Sequence, residues 1–147
     1  MAYTYILSLH SYLAYVVLLI LIYAVFNAIK GWKTNKATFD MGKDLRLSLF
    51  ALILTHLQLL VGLVLYFVSP NGLGAIQTNG MGGLSSVARL LAVEHPFVNI
   101  LAVVFITMGW SKHKKLMEAN KKFKTIGVFY AIGLLLLLRR FPWNQWF

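Results

Sequence analysis

The chain has no cysteine and only four acidic residues, and each shortage excludes a kind of chemistry. The absence of cysteine removes disulfide bonds and thiolate metal sites. The sequence also contains no paired carboxylates, no Gly-rich phosphate loop and no nucleophile with a matching base and acid, so hydrolase and transferase mechanisms have no residues to carry them. Its polar stretches are only as long as loops, and we therefore expect no soluble domain.

Apolar residues dominate what is present. Of the 147 residues, 59% are hydrophobic and 12% are charged, and the mean hydropathy is +0.72. A helix needs about 20 residues to cross a bilayer. Three apolar blocks reach that length, and a fourth reaches it only if flanking basic side chains extend into the headgroup layers; the blocks cover residues 3–29, 45–68, 87–110 and 125–138. The sequence thus predicts an all-α integral membrane protein in which residues 1–147 form one domain, an up-down-up-down four-helix bundle.

The basic residues predict the orientation of this bundle. Eleven of the 14 lie in two loops, one between the first and second blocks and one between the third and fourth. Because cytoplasmic loops carry an excess of Lys and Arg, both loops should face the cytoplasm, and both termini and the Gly-, Asn- and Ser-rich middle loop should face outward. That middle loop, residues 69–86, is expected to be irregular. The net charge of +10 is explained by this topology rather than by nucleic-acid binding.

The first apolar block is expected to be a permanent helix. It has no basic residue before Lys30 and no small-residue cleavage pattern at its end, so it does not have the pattern of a signal peptide. Because the first helix is not expected to be cleaved, the predicted bundle has four helices, and it is surrounded by the lipid bilayer.

Three of the four histidines lie inside the apolar blocks, where an ionisable side chain is costly and its default interpretation is functional. At a helix rise of about 1.5 Å per residue, His10 and His95 both lie about 10 to 12 Å below the outer surface, and His56 lies about 18 Å down. The first and third helices are diagonal neighbours in such a bundle, which leaves a wide gap between His10 and His95. We therefore predict one b-type heme with these two residues as axial ligands, and small neighbours such as Ala14 and Ala92 leave room for its edge. The fourth block contains no His, Met or Cys, so a second heme is not expected.

Three arginines, Arg89, Arg139 and Arg140, are the basic residues predicted on the outer side. A heme near that surface would have its propionates at the same level, and Arg binds carboxylates through two parallel hydrogen bonds. We expect at least one of the three to bind a propionate. The alternative is that Arg139 and Arg140 merely end the fourth helix, where cations suit its C-terminal dipole.

His56 is the histidine that packing alone explains least, because it is farthest from water. It could be a third residue of the heme pocket, a hydrogen-bond partner of a quinone carbonyl, or a partner of Glu94, the only acidic residue in any apolar block. A protonatable Glu94 beside His56 would suit quinone or proton chemistry. Gln58 lies about 200° around the helix from His56, so one of the two should face another subunit of a homo-oligomer or larger complex.

Each histidine also has an interpretation without a cofactor. His113 lies among lysines and is expected to be a solvated loop residue. His95 precedes Pro96, and proline favours the first turn of a helix, so the third helix could begin near Glu94, with residues 86–93 as a short interfacial helix. His10 is close enough to its helix terminus to hydrogen-bond lipid headgroups instead.

The layout of four helices with core histidines near one membrane face resembles small bacterial membrane cytochromes of the b type. That resemblance implies heme b, electron transfer and a place in the bacterial inner (cytoplasmic) membrane. The stretch HLQLLVGLVL, which begins at His56, and the later Glu94-His95-Pro96 resemble segments of one half of heme A synthase. Such a half is expected to bind heme from its second and fourth helices, whereas the fourth helix here has no histidine.

The leading hypothesis is a bis-histidine heme b protein that carries electrons within the membrane, to or from quinone, as a subunit of a respiratory or other membrane complex. The alternative is a cofactor-free accessory or assembly subunit whose histidines serve helix packing and partner contacts. A third hypothesis is an enzyme that resembles half of heme A synthase.

Overall fold

The computed structural model describes residues 1–146, and over this range it is all-helical, with 84% helix and no strand. The all-α prediction is confirmed. Four helices are long: α1 (Ala2–Lys33), α2 (Arg46–Val68), α5 (His95–His113) and α6 (Ala119–Arg139). Three are short: α3 (Leu73–Asn79), α4 (Ser86–Arg89) and α7 (Trp143–Trp146).

Three helical stretches are long and apolar enough to cross a membrane: Ala2–Lys33, Met41–Asn79 and Ser86–His113. The protein is therefore a multi-pass membrane protein by length and composition. Helix α6 has 21 residues, and it begins six residues before the predicted fourth block, because the lysine-bearing segment ahead of that block is also helical.

The long helices pack so that α1 contacts α2 and α6, and α5 contacts the same two helices. The first and third long helices therefore lie diagonally, as predicted. The apolar core occupies the half of the structure where α1 ends and α6 begins; its buried members include Leu21, Ala28, Ala51, Ile126 and Tyr130. The opposite half contains a cavity between the helices.

Small residues allow α5 and α6 to approach closely. A Cβ atom at Gly133 would lie 2.6 Å from Cγ1 of Ile106 and 3.0 Å from the carbonyl oxygen of Ala102. At Gly109, a Cβ atom would lie 2.6 Å from Cβ of Phe129. Such contacts are typical of helices that pack inside membranes, where small residues bring the backbones together.

The middle loop is more regular than the sequence indicated. Residues 73–79 form α3 and Met81–Gly83 form a short 3-10 turn. The prediction of irregular backbone is therefore wrong for these residues. Ala75 is 8% exposed and α3 contacts α2, so tertiary packing organises a segment whose glycines suggested only turns.

The α-helix α5 begins at His95, with Glu94 as its N-cap and Pro96 in its first turn, so the predicted start near Glu94 agrees with the structure. A π-helical turn over Leu90–Glu94 joins α5 to the short helix α4, and together they form one helical stretch from Ser86 to His113. Pro96 has no N–H to donate to the carbonyl oxygen four residues earlier, so the regular ladder is interrupted just before it.

Candidate functional site

A cavity of about 300 Å³ lies between the N-terminal halves of α1 and α5 and the C-terminal half of α2, and residues after α6 cover one side of it. Tyr3, Asn71, Thr55 and Val103 are among its lining residues. Most of its wall is apolar. Its polar lining side chains include His10, Gln58, His95 and Asn99.

His10 and His95 both line this cavity, and their rings lie beside each other. Their ring centroids are 6.2 Å apart and their planes are nearly perpendicular, at 88°. The two residues come from the diagonal helices α1 and α5, and both are half-buried. The structure thus brings together the two histidines that helix rise placed at equal depth.

Hydrogen bonds fix the tautomer of His95. Its Nδ1 lies 2.9 Å from the carbonyl oxygen of Arg140, and a carbonyl only accepts, so Nδ1 carries the hydrogen. The lone pair is then on Nε2, which lies 3.0 Å from Nδ2 of Asn99. Asn99 follows His95 by one helical turn, and its amide donates to that lone pair. Nε2 of His95 therefore acts as an acceptor in this structure, and it could bind a metal only if Asn99 turned away.

Three buried polar atoms on the cavity wall have no hydrogen-bond partner among the described residues: His10 Nδ1, Gln58 Oε1 and Asn99 Oδ1. The hydrogen bonds of the two side-chain amide nitrogens set the orientation of the Gln58 and Asn99 amides. Gln58 Nε2 donates to the carbonyl oxygen of His10 at 2.9 Å, and Asn99 Nδ2 donates to His95. Both amide oxygens are therefore unpaired acceptors. Buried polar groups are normally hydrogen-bonded, so these atoms indicate a ligand or water in the cavity.

Gly62 of α2 supports the ring of His10. A Cβ atom at this position would lie 2.9 Å from Cε1 of His10, closer than carbon atoms normally approach. The absence of a side chain thus makes room for the imidazole, and α2 forms the cavity wall beside it.

Two of the three arginines predicted to bind propionates instead pair with Glu94. Nε of Arg89 is 3.2 Å from one carboxylate oxygen, and Nε of Arg140 is 3.4 Å from the other. The π-helical turn aligns Glu94 with Arg89 five residues earlier. Arg139 is exposed. Arg89 and Arg140 each have further N–H groups, so they can bind a second anion beside Glu94.

His56 is not part of the cavity wall. It is exposed, its Nδ1 donates to the carbonyl oxygen of Leu52 at 2.8 Å, and its Nε2 lies 3.2 Å from Oγ1 of Thr107 on α5. The structure does not pair His56 with Glu94, because each has other partners. Gln58 faces the cavity while His56 faces outward, so the prediction that they point to different faces is confirmed.

His113 is buried, and the prediction of a solvated loop residue is wrong. Its side chain is 1% exposed and lies between the rings of Phe39 and Trp110, with centroid distances of 5.5 Å and 4.6 Å. Lys122 donates to its carbonyl oxygen at 2.9 Å. The residue is covered because the first loop folds over the end of α5, which the lysines around it in sequence do not reveal.

Sequence reasoning did not assign roles to Gln58 and Asn99 at this site. The signal was present, since each is a carboxamide inside an apolar block, where polar side chains are rare. Sequence reasoning also could not identify the backbone carbonyl of Arg140 as the hydrogen-bond acceptor of His95, because a backbone acceptor beyond the end of α6 has no sequence pattern.

No group of three or more His, Cys, Asp or Glu side chains able to hold a metal ion occurs in residues 1–146. The histidine pair would hold a metal only if further ligands came with it, as the four porphyrin nitrogens of a heme do. No protein family, curated protein or solved structure was found to match this chain. The functional argument therefore depends on the geometry of the cavity.

Proposed function

We propose that the protein is a membrane electron carrier that holds one heme b between His10 and His95. The separation of the two rings supports this proposal. Imidazole nitrogens bind metal ions at about 2 Å, and with about 1 Å from nitrogen to ring centre on each side, two ligands of one metal require centroids about 6 Å apart. The observed 6.2 Å agrees with that requirement.

The surroundings of the pair also fit a heme. The Nδ1–H of His95 donates to a backbone carbonyl, an arrangement that orients metal-binding histidines and raises their basicity. Gly62 leaves α2 without a side chain where the ring of His10 lies, so this ligand can pack directly against the helix. Arg89, Arg139 and Arg140 are candidates for binding propionates, with Arg139 the exposed member of the three.

A bound heme b would supply a one-electron redox centre, and the protein's residues would bind and orient it. His10 and His95 would hold the iron, and the apolar wall would exclude water. Asn99 would have to turn away from His95, because its amide currently donates to the lone pair that the iron needs. Its N–H groups would then be free to reach another acceptor on the wall.

The same proposal includes a topology. We infer four membrane-spanning helices, with α6 as the fourth, both termini outside and the protein in the bacterial cytoplasmic membrane, as a subunit of a larger complex. The basic loops support this orientation. Single cysteines introduced at Asn71 and Lys115 test it: a membrane-impermeant thiol reagent should label the first in intact cells and not the second. The reverse pattern would overturn the orientation.

The heme assignment is tested with three alanine variants and a reduced-minus-oxidised visible spectrum of each. His10→Ala and His95→Ala should each lose the low-spin spectrum, because the iron would lose an axial ligand. His56→Ala is the matched control, since it removes an imidazole from an apolar segment outside the cavity, and should keep the spectrum. Wild-type heme content in both of the first two variants would refute the axial pair.

A second candidate function is favoured by the two unpaired amide oxygens. A hydroquinone carries two O–H donors, and Gln58 Oε1 and Asn99 Oδ1 are two buried acceptors on one cavity wall. In this candidate the cavity binds quinol without heme. Heme-free protein should then bind a short-chain hydroquinone more tightly than the quinone, which offers only acceptors, and Gln58→Leu should remove that preference.

These outcomes separate the hypotheses. A preparation that contains heme bound by the histidine pair eliminates the second candidate, because both ligands would fill the same cavity. A preparation with neither heme nor hydroquinone binding leaves the accessory or assembly subunit as the remaining hypothesis.

A further inference from the structure

A second cavity, of about 200 Å³, lies at the opposite end of the structure from the histidines, between the end of α1 and the loop that leads to α2. Its wall contains three lysines and no acidic side chain. The other lining residues are aromatic, uncharged polar or glycine: Tyr23, Phe26, Asn27, Gly31 and Thr34. This basic cavity is independent of the site proposed for heme.

The lysine charges in the basic cavity are only partly balanced. Asp44 is fully buried and lies 2.8 Å from Nζ of Lys36, and it also accepts hydrogen bonds from Asn27 Nδ2 and the backbone N–H of Asp40. Asp44 therefore neutralises Lys36 and holds the loop against α1. Lys30 and Lys43 are exposed and leave the basic cavity with a net positive charge.

An exposed apolar stripe on α1 leads directly into the basic cavity. Tyr23, Phe26 and Lys30 are spaced three and four residues apart, so they lie on one face of the helix. Tyr23 is 52% exposed and Phe26 is 63% exposed, and Leu19, one turn earlier, is 69% exposed. Because α1 is long and apolar enough to cross a membrane, this stripe faces lipid chains, and Lys30 lies where the chains give way to headgroups.

We propose that the basic cavity binds the phosphate of an anionic glycerophospholipid, whose acyl chains lie along the Leu19, Tyr23 and Phe26 stripe. Lysine binds phosphate as a point charge, and basic clusters at helix ends are typical sites for acidic lipids. Free inorganic phosphate has the same charge chemistry but would leave the stripe uncovered. The joined polar and apolar surfaces therefore favour a lipid. The proposal depends only on α1 crossing the membrane.

The test uses full-length protein in a neutral detergent, with bound lipid counted by native mass spectrometry. The probes are palmitoyl-oleoyl phosphatidylglycerol, the matching phosphatidylcholine and inorganic phosphate. We expect phosphatidylglycerol to bind more tightly than phosphatidylcholine, and the double variant K30A/K43A to bind it about 30-fold more weakly, since each basic residue near an anionic lipid contributes about one kcal/mol. The control K112A/K115A removes the same charge from exposed lysines of the other basic loop and should keep the affinity.

Phe26→Ala distinguishes the two sources of phosphate. Its exposed side chain touches the acyl chains in this proposal, so the variant should weaken phosphatidylglycerol binding and leave any binding of inorganic phosphate unchanged. Equal losses in both lysine variants would show only general charge attraction and overturn the site. Binding of inorganic phosphate as tight as that of the lipid, or no preference for the anionic lipid, would also overturn it. The heme spectrum should be the same in every variant, so the outcome does not depend on the histidine proposal.

Discussion

Replacing Gly62 by alanine is expected to weaken heme binding more than it weakens the fold. The new Cβ would lie 2.9 Å from Cε1 and 3.4 Å from Nδ1 of His10. Carbon atoms in contact are normally at least about 3.5 Å apart, so the ring must retreat by about 0.6 Å or leave its rotamer. Overpacking of this kind costs about 1–3 kcal/mol. A factor of ten corresponds to about 1.4 kcal/mol, so the Kd for heme should rise about 5- to 150-fold.

The fold should be affected less, because alanine favours a helix interior over glycine by up to about 1 kcal/mol. That gain offsets part of the cost of overpacking, and the free energy of unfolding should fall by no more than about 2 kcal/mol. Heme titration of the apoprotein, followed at the Soret band, measures the first quantity, and thermal unfolding followed by circular dichroism measures the second.

Gly82→Ala is the control, because no atom lies within 4 Å of the Cβ that it adds. It should change neither quantity. If Gly62→Ala binds heme as tightly as the wild-type protein, then the ring of His10 does not lie against α2 when heme is bound, and the argument from Gly62 is refuted.

Three further substitutions test other contacts. Asn99→Ala removes the donor that competes for Nε2 of His95, so heme should bind up to about fivefold more tightly in the same titration, and weaker binding would contradict this role. Tyr130→Phe removes a buried hydroxyl that donates to the carbonyl oxygen of Ser48 at 2.8 Å, and the free energy of unfolding should fall by about 1–2 kcal/mol in thermal unfolding. Asp44→Ala leaves three donors without their acceptor and should destabilise by about 2–3 kcal/mol; an unchanged melting temperature would show that the loop does not depend on this carboxylate.

The sequence was sufficient where the regular geometry of helices determines the answer. The proximity of His10 and His95 follows from helix rise, and the diagonal placement of their helices follows from the order of the four long helices. The opposite faces of His56 and Gln58 follow from helical rotation within α2. These predictions need only the period of a regular helix, which the apolar blocks already indicate.

The sequence was not sufficient where a side chain depends on a distant segment. His113 is buried because Phe39, from a loop that precedes it by more than 70 residues, packs against its ring. Glu94 binds Arg140, which lies beyond the end of α6, and the π-helical turn sets its direction. Neither contact has a local sequence pattern. The lysines next to His113 in sequence therefore suggested that it is exposed to solvent. The position of Glu94 inside an apolar block suggested His56 as its partner.

The π-helical turn over Leu90–Glu94 amounts to one extra residue in an otherwise regular helix. A π turn holds its extra residue within one widened turn, so removing that residue would restore the α-helical ladder and leave the helix on either side close to its present orientation. The segment before His95 is therefore a place where the chain can gain or lose one residue while the imidazole still lies beside His10.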